Sequence, residues 1–228
     1  MSQSFILSFY CPDRSGIQSK VSSLLYSSDA FLTDVQSYSD KDTQSFFSRI
    51  VFSVSSEDGI DKINSELKTL SIELNMVWSI DEQEKKVKTV IAVSKLGHCL
   101  NDLLFRAKYR NMPIEIVGVI SNHEDFKEIV EFNNIPFHFL PSFKGANPYE
   151  QAFSKGVKLI GATAHYVTPD LDEGPIIEQN IERISHYDNI EDLIRKGNDI
   201  ESIVLARAVR WHAEKRVLVN GNKTVVFT

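Results

Sequence analysis

The sequence predicts an α/β chain in two parts: a ferredoxin-like α+β sandwich, then a Rossmann-like unit with a parallel sheet that is incomplete. Three observations carry this expectation. Up to Ile80, apolar residues switch between strand and helix spacing in the order βαββαβ. Beyond a charged stretch, continuous apolar runs alternate with helical patterns, the rhythm of a doubly wound parallel sheet. Residues 89–228 are then too few for the six or seven strands that such a sheet normally holds.

The first part reads element by element. Ser4 to Tyr10 is an apolar run of strand length, and Cys11-Pro12-Asp13-Arg14-Ser15-Gly16-Ile17 supplies turn chemistry before a helix. Ile17, Val21, Leu24 and Leu25 follow at helical spacing. Phe31 to Tyr38 predicts a strand, and Phe46, Ser48, Ile50, Phe52 and Val54 mark a second by alternation. Ile60, Ile63, Leu67 and Leu70 give one face of another helix, and Met76, Trp78 and Ile80 close with a short strand.

Asp81 to Lys88 is charged without a core face and reads as a linker, which divides the chain into residues 1–84 and 89–228. Thr89-Val-Ile-Ala-Val-Ser94 is continuous enough to predict a strand buried on both faces. A helix over 95–111, a strand over 113–121 and a helix over 123–134 follow, with Asn122 and Asp125 as expected helix caps.

Hydrophobic residues make up 42% of the 228 and charged ones 25%, so a packed core is expected. The net charge of −6 argues against a nucleic-acid backbone or an anionic membrane as partner. Cys11 and Cys99 are too few for a disulfide framework or, on their own, a zinc site. There is no basic leader and no apolar run near the ~18 residues of a membrane span, which predicts a cytoplasmic protein.

The Cys-Pro-Asp-Arg-Ser-Gly-Ile turn inside a βαββαβ unit resembles an ACT domain, a module that binds small amino acids between paired copies. The resemblance implies an effector loop at Asp13 and Gly16 and assembly into a homo-oligomer. The local reading of the same residues is a plain turn and cap. In the second half, SKLGHCLNDLL (94–104), LPSFKGANPYEQA (140–152) and GVKLIGATAHYVTPDLDEGPIIEQ (156–179) together resemble the formyltetrahydrofolate deformylases. These join an ACT domain to a formyltransferase-like catalytic domain. The tail from Leu205 to Phe227 continues the likeness.

That resemblance implies hydrolysis of 10-formyltetrahydrofolate to formate and tetrahydrofolate, supplying one-carbon metabolism and purine biosynthesis. The folate is the substrate and no cofactor is implied. Glycinamide ribonucleotide transformylases share the catalytic fold but lack the ACT unit, and their loop after the first strand is richer in Gly and Asn.

The family's chemistry rests on an Asn, a His and an Asp. The Asp falls in the turn Leu171-Asp172-Glu173-Gly174-Pro175, which makes Asp172 the candidate base or water-orienting carboxylate. Composition alone reads the same turn as an exposed hairpin cap. His165 precedes it by seven residues, where a satisfied core histidine and a catalytic one are both open. Lys144 and Gly145 are candidate substrate-binding residues, Lys144 for the folate's glutamate tail or as a plain surface lysine.

The family's Asn and His strand has no counterpart. Pro136 stands where the His would be, and a proline moves no proton. Asn134 to Phe139 reads instead as a helix end and an upstream strand, joined to the later loop at Phe139-Leu140-Pro141. A catalytically dead ACT-bearing regulator is therefore the alternative to a hydrolase. His98, His123, His186 and His212 share no ligand spacing, so no metal is predicted.

Overall fold

A computed structural model describes residues 3–139, 153–170 and 172–228. The chain forms two compact units, Met1–Lys85 together with Glu214–Thr228, and Lys86–Ala213.

The first unit has the predicted βαββαβ order: β1 (Gln3–Pro12), α1 (Ile17–Ser27), β2 (Phe31–Asp40), β3 (Ser45–Val54), α2 (Glu57–Leu74) and β4 (Val77–Glu82). The strands form one antiparallel sheet in the order β2-β3-β1-β4. On α1 the four residues at helical spacing, Ile17, Val21, Leu24 and Leu25, are the buried ones. Ser56 caps α2 by accepting the Gly59 N–H at 3.3 Å, and Asn75 ends it in the left-handed conformation. Leu7, Phe9, Ile50 and Phe52 from the sheet meet Val21, Leu25, Ile63 and Leu67 from the helices. Each such side chain contributes roughly 1.5–3 kcal/mol by leaving water.

The alternation expected in β3 is incomplete, because Phe47 and Val51 are buried as well as Ile50 and Phe52. The cause is a C-terminal hairpin, β10 (Val217–Asn220) with β11 (Lys223–Val226). Leu218, Phe227 and Val225 close over Phe47. Arg49, 3% exposed, donates from Nε to the Glu214 carbonyl at 3.1 Å and from Nη1 to Asp34 Oδ2 at 3.0 Å. Asn220 Nδ2 donates to Asp40 Oδ2 at 2.6 Å. The boundary drawn from sequence, with 89–228 as one domain, is thereby corrected: residues 214–228 fold with the first unit. Which of two cores a distant hairpin covers is a tertiary choice that its own alternation does not encode.

The second unit contains β5 (Val87–Val93), α3 (His98–Tyr109), β6 (Ile114–Ser121), α4 (Lys127–Phe132), β7 (Phe137–Phe139), β8 (Leu159–His165), β9 (Ile176–Arg183) and α5 (Ile190–Ala213). Strands β5, β6 and β7 make a parallel sheet in that order, and β8 pairs antiparallel with β9 in a separate sheet. Helix α5 serves two cores. Its Ala206 and Ala213 join Leu100, Leu103, Ile114 and Val119, while Leu193, Ile200 and Val204 join Ile160 and Ile184.

Four expectations change here. The linker shrinks to 83–86, because β4 runs to Glu82 and β5 starts at Val87. Strand β5 is not buried on both faces: among the described residues it is an edge of its sheet, Ile91 alone of its residues is buried, and Val90 is 55% exposed. The helix expected over 123–134 is a short one whose N-cap is Phe126, with no side-chain cap, so neither Asn122 nor Asp125 serves. Asn134, with φ 57°, turns the chain from α4 into β7, and Phe137 aligns with Val119. The stretch from Asn133 to Phe139 is thus a helix end and a parallel strand, as its pattern suggests.

Candidate functional site

The end of the β8–β9 hairpin brings His165 and Asp172 together. His165 is the last residue of β8, opposite Ile176, and the register slips between Ala164 and His165. Beyond it the turn is held by the Tyr166 N–H donating to the Pro175 carbonyl at 2.9 Å and by Thr168 Oγ1 donating to the Asp170 carbonyl at 2.9 Å. Asp172 sits at φ 58°, a left-handed conformation that aspartate tolerates better than most residues.

Gly174 makes this geometry possible. A Cβ there would lie 1.6 Å from the Tyr166 carbonyl oxygen and 2.8 Å from His165 Nδ1. With no side chain, the returning chain passes directly beneath the imidazole. His165 Nδ1 lies 2.9 Å from the Tyr166 carbonyl, which can only accept, so Nδ1 carries the proton. The other nitrogen, Nε2, is then left facing Asp172 Oδ1 at 3.7 Å. The His165 side chain is 22% exposed and that of Asp172 83% exposed. The gap is too long for a direct hydrogen bond, and it suits one water bonded to both acceptors. A half-buried imidazole beside an open carboxylate can orient such a water and take its proton.

Tyr166 Oη lies 2.9 Å from His212 Nδ1 on α5. Burial holds the Tyr166 phenol above its ordinary pKa, so it stays the donor. The sequence motifs did not single out this tie. Only the fold brings residues 46 positions apart into contact.

The remaining sequence candidates lie elsewhere. Gly16 is the N-cap of α1 at φ 86° with no neighbour within 4 Å of a built Cβ, so the backbone conformation rather than space calls for glycine. Asp13 is exposed, and its N–H donates to the Gln44 carbonyl at 2.8 Å. Lys144 and Gly145 lie outside the described residues.

A second polar cluster was missed from sequence. His98 Nε2 lies 2.7 Å from Glu201 Oε2, with Cys99 beside them. A cavity of about 350 Å³ opens here between β8 residues 161–164 and the side chains of Cys99, Glu201, Val204 and Leu205. Burial pushes the Cys99 thiol up to about 11, against a smaller opposite pull from the Ser202 hydroxyl. Spacing arguments could not find this group, because Glu201 comes from a helix 103 residues beyond His98.

Comparison with known proteins bears on the family and the fold. The formyl transferase family model matches residues 133–209. A formyltetrahydrofolate deformylase of Bacillus subtilis is 39% identical, over 95% of this chain and 91% of its own. One from Corynebacterium is 36% identical over 97% of each chain. The crystal structure of the Burkholderia mallei formyltetrahydrofolate deformylase superposes with a TM-score of 0.92 at 35% identity, covering 99% of this chain and 100% of that one. A glycinamide ribonucleotide transformylase from Symbiobacterium toebii, 20% identical with a TM-score of 0.57 over 63% of this chain, shares the fold. The Corynebacterium alignment runs over 278 positions against a chain of 228, so at least 50 positions of that relative face no residue here.

Proposed function

Because this chain belongs to the formyltetrahydrofolate deformylase family, we propose that it hydrolyses 10-formyltetrahydrofolate, with His165 and Asp172 handling the water. The observation that carries the assignment of roles is the 3.7 Å approach of His165 Nε2 to Asp172 Oδ1 at the hairpin end. A water held by both gives its proton to the Asp172 carboxylate as its oxygen bonds to the formyl carbon. Breakage of the C–N10 bond, with a proton passed to N10, releases formate and tetrahydrofolate. Formate from such a step feeds one-carbon metabolism and purine biosynthesis. Lys144 and Gly145 are the proposed substrate-binding residues, Lys144 for the folate's glutamate tail. No helix among the described residues is long and apolar enough to cross a membrane, in keeping with a cytoplasmic enzyme that needs no cofactor. Asp13 and Gly16 form the turn at which a small amino acid would act, in a homo-oligomer built through the first unit.

The test is formate release by the purified chain. Asp172→Asn keeps the shape of the turn and removes the proton acceptor, so release should fall by roughly 10²–10⁴-fold. Wild-type turnover by that variant would take Asp172 out of the mechanism.

A second reading has its own support. At least 50 positions of a relative face no residue here, and Pro136 stands where the resemblance calls for a histidine. In that reading the chain keeps the hairpin but not the hydrolysis, and acts as a regulator. A folded chain that binds 10-formyltetrahydrofolate without releasing formate would establish it.

A further inference from the structure

We infer that His98, Cys99 and Glu201 form a site for one zinc ion, with its fourth position open to the adjoining cavity. The donor atoms of the three residues all lie within 4.8 Å of one another, and all three residues are half-buried. Imidazole nitrogen, thiolate sulfur and carboxylate oxygen are each ordinary zinc ligands, and a sulfur–nitrogen pair disfavours magnesium and calcium. One thiolate and one carboxylate also balance the charge of a divalent ion with a neutral imidazole.

The scaffold suits a fixed site. His98 and Cys99 open α3, Glu201 lies on α5, and both helices are anchored by buried neighbours, Leu100 and Leu103 on one and Ile200 and Val204 on the other. Tetrahedral bonds of ~2.0–2.3 Å hold donor atoms ~3.3–3.8 Å apart. Side-chain adjustments of about an ångström therefore take the cluster into that geometry, the His98–Glu201 contact of 2.7 Å opening as the ion enters. Cys99 and Glu201 both line the cavity, which leaves its side of the ion for water or a small ligand. Binding turns the Cys99 thiol into a thiolate, so one proton leaves for each ion bound. The inference does not depend on the proposed hydrolysis.

Titration of the chelator-treated full-length protein with cobalt(II), then zinc, tests it. The expected result is one cobalt per chain, with a sulfur-to-cobalt charge-transfer band and tetrahedral d–d bands, all displaced by zinc. Cys99→Ser should abolish the charge-transfer band, and Cys11→Ser should keep it. Glu201→Gln, a shape-conserving change, should weaken binding by roughly tenfold or more and gives a reading even if Cys99→Ser does not fold. Absence of the band at equimolar cobalt, or its survival in a folded Cys99→Ser, would overturn the site and leave a plain His98–Glu201 hydrogen bond.

Discussion

The two units bury their strands in different ways. In the first, four strands share one antiparallel sheet, two helices cover one face, and the C-terminal hairpin closes over β3 on the other. In the second, the five strands among the described residues fall into a three-stranded parallel sheet and a two-stranded hairpin, each with its own core. Parallel sheets are normally covered on both faces, yet β5 leaves Val90 55% exposed at an edge. The first unit gains stability from a finished sheet, whereas the second relies on α5, which supplies side chains to both of its cores.

Four substitutions probe this contrast, beginning with the largest. Phe52, fully buried in β3, loses an entire ring in Phe52→Ala, at a cost of about 3–5 kcal/mol. Hydrogen exchange should show β1 and β3 opening together. Ile160→Ala in β8 removes less from a smaller core, about 2–3 kcal/mol, and should loosen β8 and β9 without touching β1. Simultaneous loss of protection in both units after either change would contradict the contrast.

Next comes the hairpin tip. Gly174→Val places carbon where the Tyr166 carbonyl oxygen now lies. A displacement near an ångström at His165 should lower formate release roughly a hundredfold while the first unit keeps its protection. An active Gly174→Val would mean that the tip is not positioned for chemistry.

The smallest effect concerns pH. The Asp42 N–H at 2.9 Å, then the Thr43 and Asn220 side chains, hold the Asp40 carboxyl below its ordinary value of 3.8, against a smaller opposing effect of burial. The folded-state pKa is lowered, so the stabilisation is present above 3.8 and is lost as pH falls through the lower folded value. Asp40→Asn should therefore have a lower Tm than the parent at neutral pH, the difference shrinking as the solution is acidified below pH 3.8. A Tm difference that is constant with pH would remove the carboxylate from the argument.

Local pattern made much of this legible. Ile17, Val21, Leu24 and Leu25 were found by spacing because one helix face needs only its own register. His165 and Asp172 were named through the family resemblance, since composition alone reads their turn as an exposed cap. The structure adds that they approach to 3.7 Å across a turn whose glycine is sterically required. Three features stayed hidden for one physical reason. The hairpin over Phe47, the edge position of β5 and the His98–Glu201 contact all depend on which distant segment arrives at a surface. Periodicity reports how much of an element is apolar but not what covers it. The run from Val90 to Val93 shows this, since its apolar character is that of a central strand while its position is an edge.

The return of residues 214–228 to the first unit also bears on the order in which a ribosome delivers the chain. The βαββαβ segment emerges first, with Phe47 on the face that Leu218 and Phe227 later cover. Until the whole second unit has been translated, Phe47 has its stacked neighbour Tyr10 but lacks the cover of Leu218 and Phe227. A nascent polypeptide in this condition is a natural client for a holdase, and one stalled or clipped before Leu218 would carry a permanent greasy mark for proteolytic clearance.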